Sequence, residues 1–436
     1  MHSAPTPARL SLTNDQRRAL EKLSPEDLTE HQLTRLNQLL ETILPENSFY
    51  RGHLKEIEFP LRSLDQLAEL PFTFKDQLVD ENNTGNLATN RTYELARYCR
   101  FHRTSGTRGK PLVILDTADD WQWWIDTWQF VLDAADVKPS DQAVMAFSFG
   151  PFIGFWSAFD ATVARGTLCV PSGGLSTLSR LELIQSTEAS VLFCTPSYAL
   201  HMAEVGLENQ INVRELPVNR IIVAGEPGGS IPEIRDRIAT AWSAKVFDHS
   251  GATEVGPWGF PDPEARGLYI NESEFIAEFL SVDHGEPAGE GELSELVLTS
   301  LGRSGSPIIR YRTGDLVRPT WNDNQPCRFV LLQGGVLGRS DDMMIIRGVN
   351  IFPSSIERIL RSFPEIIEYR MIASKSSQMD ELKIEIEDRL EQPERVTREL
   401  QVRLGLRVET ECVPIGSLPR FDLKGNRFID NRQVPE

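Results

Sequence analysis

Five short runs of β-branched and apolar residues constrain the fold of this chain more than any other feature. Each run is followed by a segment with helical spacing, within a stretch from about Arg100 to Val330. Strands that alternate with helices are typical of a parallel α/β sheet, and ligands bind beyond the carboxyl ends of such strands. We therefore expect the functional loops to follow these runs, which are AVMAFSFG, TLCVPSG, ASVLFCTP, NRIIVAGEP and AKVFDHSG.

The two ends of the chain differ from this middle part. About the first ninety residues are polar with leucines at helical spacing, and Ser24–Asp27 carries the signals of a helix start. After LGRSDD, strand and helix patterns alternate over roughly a hundred residues, enough for a separate small domain. We predict a large α/β domain at 1–338, whose residues 1–95 are helical, and a small α/β domain at 339–436.

Charge and hydropathy exclude several classes of function. The chain has 436 residues, with 45 Lys and Arg against 63 Asp and Glu, which gives a net charge of −18. This balance argues against nucleic acid or an anionic membrane surface as the main partner. The start of the chain has no apolar signal region, and no stretch approaches the roughly 18 apolar residues of a membrane span. We therefore expect a cytoplasmic protein.

One loop, RFHRTSGTRGKPLVILD, resembles a phosphate cradle. Its glycines let backbone N–H groups approach an anion, and its Ser, Thr and Lys side chains add donors. A P-loop would need Gly at Thr104, Ser or Thr at Pro111, and a helix directly after it. Here a β-branched run follows Lys110 and Pro111, so this loop joins two strands and would bind phosphates differently.

Four further stretches contain residues that could bind anions, ribose hydroxyls or a metal ion. VAGEPGGSIPE follows a strand and opens a helix with a capping box from Ser230 to Glu233. FDHSGATEVG supplies two carboxylates, of which one could bind Mg²⁺ together with phosphate and water. IIRYRTGDL places Asp315 after a tight Thr-Gly turn, where a carboxylate could accept two ribose hydroxyls. LPRFDLKGNRF puts Lys424 on a loop, a cation that could meet developing negative charge.

In this order the motifs resemble one family, the AMP-forming, adenylate-forming ligases of the phenylacetate-CoA ligase subgroup. The resemblance extends from about Arg100 to the end of the chain. It implies a large N-terminal domain, a small mobile C-terminal domain, and the use of ATP, Mg²⁺ and coenzyme A. The motifs that carry it are TSGTRGKP, AGEP, DHSGATE, YRTGDL, GRSDDMMIIRGVNIFPSSIE and SLPRFDLKGNRFIDNR.

The resemblance also implies site residues. The phosphates would contact Ser105, Gly106, Thr107, Gly109 and Lys110. Asp248 would accept a hydrogen bond from the adenine amino group. The nucleotide-binding residues around adenine would be Gly225, Glu226, Pro227, Asp248, His249, Ser250 and Thr253. The ribose would contact Asp315 and Arg339, and Mg²⁺ would bind Glu254. Lys424 would act in adenylation only, Asp341 would be the hinge, and Gly348 would line the CoA passage.

Three departures from the family pattern matter. Ser250 stands where the family has an aromatic residue stacked on adenine, so that stack is either absent or supplied by His249 or another ring. Arg108 replaces a threonine of the phosphate loop, and it either contacts the γ-phosphate or points to solvent. Some relatives have a Cys/His zinc site after the metal motif, but GPWGFPDPEARGLYINES has neither residue. We therefore expect no structural zinc.

The acyl pocket is predicted in AFSFGPFIGFWSAF, close to Gly251 and Ala252. Its rings could form a flat apolar slot for a phenylacetate, benzoate or anthranilate, although ordinary core packing explains each ring equally well. By contrast, Trp121, Trp124 and Trp128 have helical spacing and favour core packing. The slot would contain Phe147, Phe149, Phe152, Phe155 and Trp156.

The predicted reaction is activation of an aromatic acid to acyl-AMP with release of pyrophosphate, followed by transfer to CoA. One alternative is a ligase that loads a carrier-protein thiol or an amine. Another is a non-catalytic nucleotide- or acyl-binding relative, against which Lys110, Glu254, Asp315 and Lys424 together argue. The N-terminal helices could provide a homodimer surface, but no residue requires one.

Overall fold

The structure is a computed structural model with parallel and antiparallel sheets packed against helices, which confirms the predicted α/β class. None of the helices it describes has the length and hydrophobicity that crossing a bilayer requires. The described residues are 10–79, 87–104, 111–321, 326–340, 344–346, 349–351, 353–376, 379–404, 408–419 and 427–432.

The N-terminal part is helical, as predicted. Ser24 caps the longest helix by accepting a hydrogen bond from the backbone N–H of Asp27, a donor that has no partner within the helix. The apolar face of this helix buries Leu36 and Leu40 in a cluster with Ile276. The helices are α1 (Asn14–Leu20), α2 (Pro25–Ile43), α3 (Ser48–His53) and α4 (Lys75–Leu78), with 3₁₀ turns at Leu64–Glu69 and Leu95–Arg97.

The segments on either side of residues 105–110 are strands, as predicted, and they pair with each other in antiparallel direction. The helix after them is buried on most of its surface. Trp121, Trp124 and Trp128 are only 5%, 2% and 2% exposed, which confirms that they pack in the core. The elements are β1 (Tyr98–Arg103), β2 (Val113–Thr117) and α5 (Ala118–Ala134).

The five strand runs identified in the sequence form one parallel sheet. They are β3 (Gln142–Met145), β4 (Leu168–Pro171), β5 (Val191–Cys194), β6 (Arg220–Val223) and β7 (Lys245–Asp248). Their order is β4–β3–β5–β6–β7, so the carboxyl ends of β3, β6 and β7 open on one edge of the sheet. The helices around them are α6 (Ile153–Ala164), α7 (Thr177–Ser186), α8 (Pro196–Glu208) and α9 (Pro232–Trp242), with a 3₁₀ turn at Val213–Glu215.

Between Ser250 and Arg339 the paired strands are antiparallel, so the prediction of a parallel pattern as far as about Val330 is wrong from Ser250 onward. None of the described residues between Ser250 and Arg339 is helical, and antiparallel pairs need only short connections. One sheet contains β8 (Ser250–Ala252), β9 (Gly256–Pro261), β10 (Gly267–Ile270), β14 (Pro319–Thr320) and β15 (Leu331–Gln333). The other contains β11 (Phe275–Ser281), β12 (Ser294–Ser300), β13 (Tyr311–Val317) and β16 (Gly338–Arg339).

The C-terminal part has its own sheet and its own core, which includes Ile356, Ile384 and Leu400. Its predicted strands and helices all occur, and one short strand at the end was not predicted. That this part moves as a unit stays a prediction. Its elements are β17 (Met344–Ile346), β18 (Val349–Ile351), α10 (Pro353–Arg361), β19 (Ile366–Ser376), β20 (Met379–Asp388), α11 (Pro393–Leu404), β21 (Glu409–Cys412) and β22 (Phe428–Asp430).

Candidate active site

Part of the predicted site falls outside the described residues, but the base of the phosphate loop is described. The backbone N–H of Thr104 donates to the carbonyl of Leu112 (3.0 Å), and the N–H of Leu112 donates back to Thr104 Oγ1 (3.0 Å). The N–H of Arg103 donates to Pro151 O (2.8 Å), which ties this hairpin to the loop after β3. The residues outside the description are Ser105, Gly106, Thr107, Arg108, Gly109, Lys110, Asp341, Gly348 and Lys424.

The predicted adenine wall is a tight loop after β6. Gly225 has a φ of +92°, a conformation that side chains other than glycine rarely adopt. Glu226 Oε1 accepts a hydrogen bond from the backbone N–H of Ser197 (2.6 Å), at the start of α8. Pro227 follows directly, and a Cβ at Gly229 would lie 2.6 Å from the Asp248 carboxyl. The loop is therefore fixed between α8 and the end of β7.

Asp248 is a half-buried carboxylate at the end of β7. Ser230 Oγ donates to Asp248 Oδ2 (2.6 Å), and the backbone N–H of His249 donates to Oδ1 (3.1 Å). Burial raises the pKa of this carboxyl to about 6, because removal from water disfavours the charged form. A Cβ at Gly335 would lie 2.8 Å from Ser230 and 3.2 Å from Asp248, so a glycine turn that the sequence analysis did not identify closes over them.

The capping box predicted from Ser230 to Glu233 is wrong. Helix α9 starts at Pro232 with Ile231 as its N-cap, and no side chain caps it. The Ser230 hydroxyl donates to Asp248 instead. A hydrogen bond to an ionised acceptor stabilises more than one to a neutral group, which explains why the hydroxyl donates to the carboxylate.

His249 faces the core. Its ring lies 4.0 Å from the ring of Trp128, and Nδ1 donates to the carbonyl of Gly259 (2.7 Å). Burial lowers the pKa of this imidazole to about 4, so the ring is neutral at pH 7. Only 6% of the residue is exposed, which leaves little ring surface for stacking on adenine. Ser250 and Gly251 follow in β8, and neither provides a ring.

Glu254, the predicted Mg²⁺ ligand, is 7% exposed and has two side-chain partners. Lys75 Nζ lies 3.0 Å from Glu254 Oε1, and the hydroxyl of Tyr311 donates to the same oxygen (3.3 Å). Thr73 forms a bridge with Tyr311, which brings the N-terminal part against β13. The sequence analysis missed Lys75 because its partner lies far away in the chain and no local pattern marks it.

A buried ion pair fixes the backbone at Glu254. Arg303 Nη1 donates to the carbonyls of Thr253 (2.9 Å) and Glu254 (3.0 Å). Its Nη2 lies 2.6 Å from Asp116 Oδ1, and both side chains are 0% exposed. Burial acts to raise the pKa of the Asp116 carboxyl, but the Arg303 guanidinium and His102 together outweigh burial and lower that pKa below its usual value. Since Asp116 is in β2, this pair links the phosphate-loop hairpin to the metal motif.

Asp315 and Arg339 are adjacent, as the ribose prediction requires. They are paired across β13 and β16, and Arg339 Nη1 donates to Asp315 Oδ1 (3.0 Å). The predicted turn before Asp315 is an irregularity within a continuous strand, where Gly314 has a φ of +75°. A Cβ at Gly314 would lie 2.8 Å from Arg339 Nη2, so a larger residue would displace that guanidinium.

The predicted acyl residues form an aromatic wall at the carboxyl end of β3. The rings of Phe147 and Phe155 stack 4.4 Å apart, and Phe152 lies 6.4 Å from Phe155. Phe149 lies edge-on to Phe147 (5.6 Å) and to Trp156 (4.8 Å). Phe147 is buried while the others are half-buried. Ala252 packs against the same core cluster.

The metal motif does not form a cage of protein ligands. Among the residues that the structure describes, no three His, Cys, Asp or Glu side chains lie close enough to bind one ion. A single buried carboxylate suits Mg²⁺, which usually binds through one or two carboxylates plus phosphate and water. Glu254 therefore fits that ion.

Comparison with known proteins now adds to this geometry. Residues 348–432 match the family model described as AMP-binding enzyme C-terminal domain. The chain is 30% identical to the phenylacetate-coenzyme A ligase of Thermus thermophilus, over 95% of this chain and 99% of that protein. The chain belongs to the phenylacetate-CoA ligase family. A relative from Aromatoleum evansii with the same name is 31% identical over 95% of this chain and 96% of its own length.

Membership of the phenylacetate-CoA ligase family confirms the predicted enzyme class, an AMP-forming acid–CoA ligase. The fold agrees with that of solved structures of 2-hydroxyisobutyryl-CoA ligase, which is 26% identical. The structure of that ligase in the postadenylation state, with its acyl-AMP, gives a TM-score of 0.89 over 97% of this chain and 94% of that one. In the thioesterification state, with CoA, the TM-score is 0.72. The arrangement of this chain is thus closer to the postadenylation state.

Proposed function

We propose that this ligase activates an aromatic carboxylic acid with MgATP and transfers the acyl group to the thiol of CoA. The observation that carries this choice of acid is the aromatic wall at Phe147, Phe149 and Phe155, at the same sheet edge as Asp248. Stacked and edge-on rings offer a flat apolar surface to an aryl group. The names of the family's curated members support the same class of acid.

The first half-reaction joins the acid to AMP. A carboxylate oxygen of the acid attacks the α-phosphorus of ATP, the bond from that phosphorus to the bridging oxygen breaks, and pyrophosphate leaves. Two anions must approach each other, so positioning and charge neutralisation supply most of the rate. Lys110 at the phosphates and Lys424 at the reacting oxygens are proposed for this neutralisation.

The nucleotide would be recognised through carboxylates. Asp248 accepts from the adenine amino group when it is ionised, and donors from Ser230 and His249 already fix its orientation. Asp315 accepts from the ribose hydroxyls while Arg339 orients it. Glu254 would hold Mg²⁺, which would supply positive charge to the phosphates. Its partner Lys75 is a second cation at this position.

The second half-reaction forms the thioester. The thiol of CoA loses its proton to solvent, its sulfur attacks the acyl carbon of acyl-AMP, the bond from that carbon to the phosphate oxygen breaks, and AMP leaves. In this proposal the C-terminal domain rotates about Asp341, which removes Lys424 and opens the CoA passage beside Gly348. A cytoplasmic location and a homodimer belong to the same proposal.

The test is release of pyrophosphate from MgATP with a panel of acids, with and without CoA. Phenylacetate, benzoate and anthranilate are compared with acetate and with 2-hydroxyisobutyrate, the acid of the structurally similar ligase. We expect turnover with at least one aryl acid, dependent on CoA, with AMP formed in equal amount. Preference for an aliphatic acid would refute the choice of acid. About one equivalent of pyrophosphate per enzyme, even with CoA, would indicate a carrier-protein or amine acceptor, and no release with any acid would indicate a binding protein.

A further inference from the structure

A buried group of charged residues lies where the C-terminal domain contacts the loop after β6. Arg427 Nη1 lies 3.8 Å from Glu226 Oε2, and both side chains are almost fully buried. A second contact crosses nearby, where Arg237 Nη1 of α9 donates to the carbonyl of Arg361 (3.0 Å), the last residue of α10. Two contacts from the large domain therefore reach one face of the small domain.

Each partner of the crossing ion pair is positioned within its own domain. Arg427 Nε and Nη2 donate to the two carboxylate oxygens of Glu368 (2.7 and 3.0 Å). Glu226 Oε1 accepts from the backbone N–H of Ser197 (2.6 Å). A bidentate pair of this kind fixes the direction of the guanidinium. Nη1 of Arg427 therefore faces Glu226 without a further loss of side-chain entropy.

The same arrangement makes the crossing contact reversible. Removing one partner of a buried ion pair is normally costly because the other charge is left alone. Here Arg427 would still be paired with Glu368, and Glu226 would still accept the hydrogen bond from the backbone N–H of Ser197. Separation of the domains therefore exposes two groups that still have partners. A contact that must form and break in every catalytic cycle requires this property.

We propose that Arg427 is a positioning residue for adenylation, which docks the C-terminal domain onto Glu226. The inference rests on the proposed function. Glu226 belongs to the predicted adenine wall, and Arg427 is three residues from Lys424 in the sequence. The Arg427–Glu226 ion pair would thus fix the position of Arg427, three residues after Lys424, relative to the bound nucleotide. The chain agrees better with the postadenylation structure than with the thioesterification structure (TM-score 0.89 against 0.72), and the contact is present in this arrangement.

The test measures the two half-reactions of Arg427→Gln separately. Adenylation is followed as single-turnover pyrophosphate release at saturating acid and MgATP, and thioester formation starts from supplied acyl-AMP and CoA. Loss of a coupling contact between two states changes their ratio by roughly 5- to 150-fold, so we expect adenylation to fall by about tenfold or more. Thioester formation should stay within about twofold. Arg370→Gln is the matched control, since Arg370 pairs with Glu385 inside the small domain only.

A double-mutant cycle with Glu226→Gln separates docking from a structural role. If the pair acts as a unit, Glu226→Gln should add little to the loss of adenylation already caused by Arg427→Gln. Additive losses, or an equal fall in both half-reactions, would overturn the proposal. Should Arg427→Gln fail to fold, the same test is made with Arg427→Lys. This variant keeps the positive charge but loses the bidentate guanidinium geometry. An inactive parent chain would refute the proposed function, whereas an active parent with unchanged Arg427→Gln would refute only the docking role.

Discussion

Asp248→Asn should stabilise the ligand-free protein at pH 7, although it removes a residue of the proposed site. Burial raises the pKa of Asp248 from 3.8 to about 6, so the folded state disfavours the ionised carboxylate. Each unit of pKa shift corresponds to 1.36 kcal/mol, which gives a cost of about 3 kcal/mol at pH 7. Because the folded pKa is the higher one, stability is lost as the pH rises from about 4 to 6.

Asparagine removes this charge with almost no change of shape. Its carbonyl oxygen can still accept from the N–H of His249, and its amide can donate to Ser230 Oγ. One backbone hydrogen bond, from Ser230 to the carboxylate, would be weakened at a cost of about 1 kcal/mol. The net stabilisation of the variant at pH 7 should therefore be about 2 kcal/mol.

The measurement is urea unfolding followed by tryptophan fluorescence, repeated at several pH values between 5 and 8. The advantage of Asp248→Asn should be largest above pH 6 and shrink toward pH 5. Asp315→Asn is the control, because that carboxylate has Arg339 as its ion partner and its loss should not stabilise the fold. If Asp248→Asn were less stable than the parent at pH 7, the carboxylate would be well solvated or paired, and the electrostatic argument would fail.

Three further predictions concern the nucleotide and the metal. Adenosine should bind about tenfold more weakly at pH 5 than at pH 7, because protonation removes the negative charge that makes Asp248 a strong acceptor for the amino group; inosine, with an acceptor at that position, should show the opposite trend in calorimetry. Lys424→Ala should lose adenylation by on the order of 10²-fold while thioester formation from supplied acyl-AMP survives; an equal fall in both steps would contradict its role. Lys75→Met should lower the Mg²⁺ concentration for half-maximal ATP binding by about two- to fivefold, since Lys75 competes for Glu254; Lys55→Met, a surface control, should not.

Local patterns predicted the parts of the fold that depend on local sequence. The predicted positions of the five strands, and of the loops at their carboxyl ends, agree with the structure. Residue composition and helix start signals extend over only a few residues, so the local sequence contains them. The same holds for the C-terminal strands and helices. Strand direction from Ser250 to about Val330 was wrong, because an apolar run does not reveal whether its partner is parallel or antiparallel.

Site residues that lie inside the motifs could be named from the sequence, whereas contacts with residues outside the motifs could not. The sequence singled out Asp248, Glu254 and Asp315, and the resemblance also named Arg339, which contacts Asp315, but no motif named Lys75. Lys75 meets Glu254 through a bridge between the N-terminal part and β13, which no spacing predicts. Ser230 shows the opposite case, in which a local capping signal was present and the Asp248 carboxylate determined its partner.

The position of Glu254 is determined from three sides before any ligand binds. Arg303 binds the carbonyl of Glu254 and the carboxylate of Asp116, so the metal motif and the strand after the phosphate loop share one buried guanidinium. Tyr311 and Lys75 meet its side chain from β13 and α4. Charged groups catalyse best when they need no reorganisation as charge develops. In the proposed function, Arg303 would therefore keep the elements proposed to bind ATP and Mg²⁺ at a constant separation, so that binding energy from ATP would not be spent on bringing them together.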